Sequence, residues 1–120
     1  MGKKEEQRDI EAMNNWINMN EETQEVFNRY VYDFPFLMMT IRKRIQEEGI
    51  NKYKEMTDNE VEKACRDADE RSRKAEEKEN VISLWDGRKE RDTIIMIKAF
   101  AELSADDRQR VLGFKTFLDR

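Results

Sequence analysis

The chain has 120 residues, room for one domain over 1–120 with a single hydrophobic core. Charged residues make up 42% and hydrophobic residues 38%, with a net charge of −4, so the apolar side chains must be gathered on faces, and a basic phosphate-coating protein is disfavoured. One Pro and four Gly are too few turn residues for a many-stranded sandwich or barrel, and the absence of His, with a single Cys, removes the usual general base, the Ser-His and Cys-His pairs and ordinary zinc sites.

Taken in order, residues 5–19 carry Ile10, Met13, Trp16 and Ile17 at helical spacing. Asn20 before Glu21 and Glu22 is an N-cap followed by acids that suit the positive end of a helix dipole. From there Val26, Phe27, Tyr30, Val31, Phe34, Leu37, Met38, Ile41 and Ile45 recur at three- and four-residue steps, which predicts a helix over 20–48. Pro35 should kink it, or break it and sit in the first turn of a restart, and Gly49 is a left-handed stop.

Thr57 and Glu60 form a capping box, with Met56 placed to staple onto Val61. The next helix is expected to run over 57–86, roughly 43 Å at about 1.5 Å per residue, supported by the pairs Glu62–Arg66, Asp67–Arg71, Asp69–Arg73 and Glu70–Lys74. Asp86 and Gly87 should end it. Val81–Trp85 and Thr93–Ile97 offer a β-hairpin alternative there, but Arg88–Asp92 is long for its loop, so helix is favoured. Ile94, Ile95, Met96, Ile97, Ala99, Phe100, Ala101 and Leu103 cover most of a helical circumference, marking 88–102 as the central helix. Ser104 and Asp107 cap a terminal helix whose apolar face is Val111, Phe114 and Leu118. The expected fold is therefore all-α: a single-domain bundle of four to five helices with one long charged helix.

That long helix carries the most suggestive feature. Val61, Cys65, Ala68, Ser72 and Ala75, continuing to Ile82, form a stripe of mostly small side chains that permits close helix approach while burying little area. Such a seam suits a protein partner or a second copy of the chain. Trp85 and Trp16 are candidate anchors for a partner, or else plugs at the ends of the core. With no basic residue beside it on its face, Cys65 reads as a buried space-filler rather than a reactive thiol.

The segment from Leu103 and Ser104 through Asp106, Asp107, Arg108, Gln109, Arg110, Val111 and Leu112 to Leu118 resembles a terminal helix of small regulatory and inhibitor proteins of phages and mobile elements, over 16 of the 120 residues. The resemblance implies regulation or inhibition by binding. Residues 93–119 also admit a DNA-reading helix-turn-helix with Arg108, Arg110, Lys115 and Arg120 as contacts, although Asp106 and Asp107 would meet phosphate with the wrong sign.

Arg42, Lys43, Arg44, Lys52 and Lys54, against Glu47 and Glu48, form the one local basic stretch, a candidate patch for nucleic acid or an acidic partner and equally a solvated helix end. Residues 5–34 hold eight acids and two bases, and rows of carboxylates there and on 55–80 could imitate nucleic acid. Glu22 with Glu25 and Glu55 with Asp58 have the spacing of Mg²⁺ ligands in all-α nucleotide pyrophosphatases, but among 27 acids such pairs arise easily by chance.

With one Cys, no apolar run near 18 residues and no basic-then-apolar leader, the expectation is a soluble cytoplasmic protein with no disulfide and no membrane span. The leading expectation for function is a non-catalytic, cofactor-free regulator or inhibitor that binds a protein, such as a host defence nuclease in the manner of an anti-CRISPR. A DNA-binding regulator and a Mg²⁺-dependent pyrophosphatase are the alternatives.

Overall fold

The computed structural model describes residues 3–113, and the regular elements among them are all helical. They are α1 (Lys3–Ile17), α2 (Glu21–Arg29), a 3₁₀ turn (Val31–Asp33), α3 (Phe34–Glu48), α4 (Ile50–Lys54), α5 (Asp58–Glu77), α6 (Val81–Glu102) and α7 (Ala105–Leu112). The all-α class therefore holds, and the hairpin alternative over 81–97 does not, since those residues lie in one helix.

Side-chain caps start the helices where the sequence places them. Asn20 Oδ1 accepts from the Thr23 amide at 2.7 Å, Thr57 Oγ1 from Glu60 at 3.2 Å and Ser104 Oγ from Asp107 at 3.1 Å. Among the described residues seven α-helices replace the expected four or five, because the breaks are more numerous than foreseen. Pro35 sits in the first turn of α3, so the chain restarts there instead of kinking, with the 3₁₀ turn as the joint. Gly49, at φ +83°, stops α3, and the five residues after it form a separate short helix ending at Lys54.

The largest correction concerns the rod over 57–86. It breaks at 78–80, where the amide of Asn80 donates to the carbonyl of Ala75 at 2.8 Å and that of Glu79 to Glu76 at 3.1 Å. With Glu79 left-handed at φ 54°, this is a Schellman stop. Asn80 then caps the next helix, its Oδ1 accepting from the Ser83 amide at 3.2 Å. The chain reverses, and α5 lies back along α6. Gly87 does not end a helix but sits inside α6, where it is buried against α5.

That contact is unusually close. A Cβ on Gly87 would stand 2.2 Å from Ser72 Oγ and 2.9 Å from the Ala68 carbonyl oxygen. Ser72 Oγ also donates to the carbonyl of Leu84 at 3.4 Å. None of the four anticipated i,i+4 pairs on α5 forms, since Asp69 is drawn across to Arg91 at 3.1 Å and Glu70 pairs with Arg73 at 3.2 Å.

The centre of the core is aromatic. Trp16 is fully buried and meets Phe100 at 5.0 Å, Phe27 at 5.3 Å and Phe34 at 5.4 Å between ring centroids, which joins α1, α2, α3 and α6. Around it α6 buries Ile94, Ile95, Met96, Ile97, Ala99, Phe100 and Ala101, as expected of a helix covered on several sides. Lys98 crosses to α4 and donates to the carbonyls of Tyr53 at 3.2 Å and Met56 at 2.9 Å, closing a helix end. Val111 of α7 is buried, while Phe114 and Leu118 lie outside the described residues. No helix among the described residues is long and apolar enough to cross a membrane.

Gly87→Ala tests the closeness of α5 to α6. In an open helix this change stabilises by about 1 kcal/mol. Here the expected outcome is a net loss of about 1–3 kcal/mol from overpacking, read as a lower urea midpoint. A raised midpoint would show that the two helices have room between them.

Candidate functional site

The seam expected to receive a partner is already occupied. Cys65, Ala68, Ser72 and Ala75 are buried and Val61 is half-buried, and the helix they pack on is α6 of the same chain. Burial pushes the Cys65 thiol above its ordinary pKa, as suits a space-filler. Small side chains meet glycine here because only that combination lets two backbones approach this far. The seam therefore explains the hairpin, and only its Val61 end stays half-open, beside a cleft.

Trp85 belongs elsewhere. Two residues before Gly87, it projects roughly 200° around α6 from the seam, and it is 53% exposed. Val81 and Ile82, one turn earlier on the same side, are also exposed. On the neighbouring 3₁₀ turn and α3, Tyr32, Phe36 and Met39 are exposed at helical spacing. Sequence reasoning missed these three, counting Phe34, Leu37 and Met38 as the apolar face without asking what the next flank would do.

Two clefts lie beside these side chains, one reached by Trp85 and the other by Phe36. One, of about 420 Å³, is lined by Arg29, Tyr30, Asp33, Asp69, Trp85, Arg88, Arg91 and Asp92. The other, of about 350 Å³, is lined by Tyr30, Asp33, Phe36, Leu37, Thr40, Lys89 and Thr93. They share Tyr30 and Asp33 and so form one groove, with Trp85 at one end and Phe36 at the other.

The groove floor is rigid. Asp92, nearly inaccessible on α6, accepts from Arg29 Nη1 at 2.8 and 3.0 Å and from the Tyr30 hydroxyl at 2.7 Å. Burial, and then the hydrogen bond to Asp92, push the Tyr30 hydroxyl well above the usual phenol range, so it stays protonated as the donor. Arg91 ties α6 to Asp69 on α5 and to Glu22 on α2, both at 3.1 Å. Arg88, Lys89 and Asp33 take part in no ion pair among the described residues, which leaves both signs of charge open in the groove.

The basic stretch does not assemble into a patch. Arg44 makes a forked pair with Glu90 of α6 at 2.6 and 2.8 Å, and Arg42 donates to the carbonyl of Leu112. Lys52 pairs with Glu48 at 3.3 Å, and Glu48 also receives the Tyr53 hydroxyl. Lys43 and Lys54 remain exposed. Most of these cations hold the chain together, as helix-end residues do.

The helix-turn-helix surface is similarly used up. Arg110 pairs with Asp9 of α1 at 2.8 Å and with Asp106 at 3.2 Å, Asp107 accepts from Asn15 at 3.2 Å, and Arg108 is half-buried. Lys115 and Arg120 lie outside the described residues. For the pyrophosphatase reading, Glu22 and Asp58 line a cleft of about 570 Å³ between α2 and α5, but Glu25 and Glu55 do not. No group of three or more His, Cys, Asp or Glu placed to hold a metal ion occurs among the described residues.

The hydrogen bonds from Arg44 hold the Glu90 carboxyl below the usual carboxylate range. A depressed folded-state pKa gives stability that is present above the ordinary Glu pKa of about 4.3 and lost as pH falls through the lower folded value. Glu90→Gln is thus expected to cost about 1 kcal/mol near neutral pH. The gap to wild type should narrow in urea melts as pH falls below the ordinary Glu range. A gap unchanged at acid pH would contradict the pairing.

Comparison with protein-family models, with curated proteins and with solved structures yields no match to this chain.

Proposed function

We propose that this chain is a non-catalytic regulator or inhibitor that acts by binding protein, of the kind that phages and mobile elements direct against host enzymes such as defence nucleases, in the manner of an anti-CRISPR. The observation that carries the reading is the distribution of exposed apolar side chains. Among the described residues seven large ones are exposed: Phe36 and Trp85 line the two joined clefts, Tyr32 and Met39 lie within about one helical turn of Phe36, Val81 and Ile82 lie one turn before Trp85, and Ile10 alone is on another element.

In a chain that is 42% charged, water-exposed aromatic and aliphatic groups gathered on two adjacent elements mark an interaction surface, whereas scattered ones would need no explanation. Aromatic anchors beside open charges are also the composition of binding hot spots. The pairing of Arg42, Arg44 and Arg110 inside the fold supports a protein target over a nucleic-acid one.

The reading is tested by capture from bacterial lysate with tagged wild type, Phe36→Asp and Trp85→Ala, alongside a gel shift on duplex DNA. Wild type is expected to retain a protein that both variants lose, with no shift of DNA. A strong DNA shift with no protein retained would overturn the proposal.

A further inference from the structure

Residues 78–80 join two parts of the fold that share one core. Before the turn lie α1 to α5, and after it α6 and α7. Trp16, Phe27 and Phe34 of the aromatic cluster come from the first part and Phe100 from the second. The heaviest packing in the molecule also crosses the turn, with α5, α4, α2 and α3 lying on α6, and α1 on α7.

The turn fits its own residues poorly. Glu79 sits at φ 54°, where a side chain crowds the following carbonyl and glycine or asparagine is the usual occupant. Over residues 50–86 the chain has neither Gly nor Pro, so no residue there breaks a helix that continues through 78–80. The turn is closed by the amides of Glu79 and Asn80 donating to the carbonyls of Glu76 and Ala75, and by the Asn80 cap on Ser83. Helical bonds replace all three when the turn straightens. Ile82, 76% exposed just past the reversal, falls seven residues after Ala75 and extends the α5 stripe in a straight helix.

We infer that two copies of this chain exchange α6 and α7 about this turn, so that α6 of each copy packs on α5 and the aromatic core of the other. Every contact that crosses the turn re-forms between the chains. The balance between monomer and exchanged dimer is then set by the turn and by the entropy of association, with no new surface required. Straightening releases one left-handed residue in each chain, and a short strained hinge favours exchange for that reason. The shape allows it. The molecule is 53 Å long with the turn at its projecting end, so two copies meet tip to tip and their cores stay apart. Each groove would then have walls from both chains, with Tyr30 and Asp33 from one and Trp85 and Arg88 from the other. The exchange does not depend on what the groove binds.

Refolding the full chain from urea over a wide range of concentration, followed by light scattering on a sizing column, tests the inference. Wild type is expected to give the closed monomer when dilute and a rising share of twice the chain mass when concentrated. Glu79→Gly relieves the left-handed residue and weakens a helix through the turn, so it should lower the association constant roughly 100-fold with unchanged helical circular dichroism. Asn80→Ala removes the cap that closes the hairpin and should raise the dimer share. Spin labels on separate chains, Glu62→Cys on one and Glu102→Cys on the other in a Cys65→Ala background, should lie under about 25 Å apart in the mixed dimer. A wild type that stays monomeric at every refolding concentration overturns the inference. A dimer whose labels lie farther apart, or whose yield ignores Glu79→Gly, overturns it too, because closed hairpins would then be meeting side by side.

Discussion

The structure depends on one close approach: the backbone of α6 at Gly87 against the backbone and side chain of α5 at Ala68 and Ser72. Neither helix could come this near with a larger residue at the crossing, because packed interiors absorb even one methyl group poorly. The approach lets Cys65, Ala68, Ser72 and Ala75 of the small-residue stripe of α5 bury themselves on α6. No other helix packs extensively on α5, so its stability as part of the fold rests on that seam. α6 must therefore serve both the hairpin and the aromatic core around Trp16, which is why its apolar residues cover nearly the whole circumference at the C-terminal half while Gly87 meets α5 nearer the N-terminus.

The same arrangement produces the groove. Where α2 and α3 reach α6, near Asp92, Thr93 and Glu90, they cover it, but the first turns of α6 and the last of α5 extend past them. The result is an elongated molecule, 53 × 32 × 27 Å, whose radius of gyration of 15.3 Å exceeds the about 13.6 Å expected for its length. The hairpin end carries Val81, Ile82 and Trp85 into water, and the angle between it and α3 holds the open charges. An ion pair from Arg29 and a hydrogen bond from Tyr30 to the buried Asp92 keep that angle fixed. A groove with a pre-set floor loses little entropy when something docks, which favours affinity.

Much of this architecture is legible in the residues. Three side-chain caps, the restart at Pro35 and the all-round apolar character of 94–101 follow from local chemistry and stand in the structure. The break at 78–80 was hidden because its left-handed residue is Glu79, where glycine or asparagine would normally signal the stop. The signal that was present is Asn80, which sits three residues before Ser83 ahead of an apolar run and caps α6. Gly87 misled for the opposite reason: a glycine after Asp86 reads as a terminus, yet here its missing side chain is needed for packing, which only the tertiary contact reveals. The stripe Val61, Cys65, Ala68, Ser72, Ala75 was correctly read as wanting a surface, but sequence cannot say that the surface lies in the same chain. The proposed binding role therefore moves from that seam to Trp85 and to three exposed residues of the 3₁₀ turn and α3 that periodicity alone did not single out.

The distance between spin labels at Glu62→Cys and Glu102→Cys, in a Cys65→Ala background, tests the reversal of the chain most directly. Both positions line the cleft beside the seam, so the fold places them on adjoining walls, and a separation under about 25 Å is expected once label linkers are included. A single helix continuous from Glu62 through 78–80 to Glu102 would hold them about 60 Å apart. A distance near that value would contradict the closed hairpin, and with it the groove that the hairpin creates.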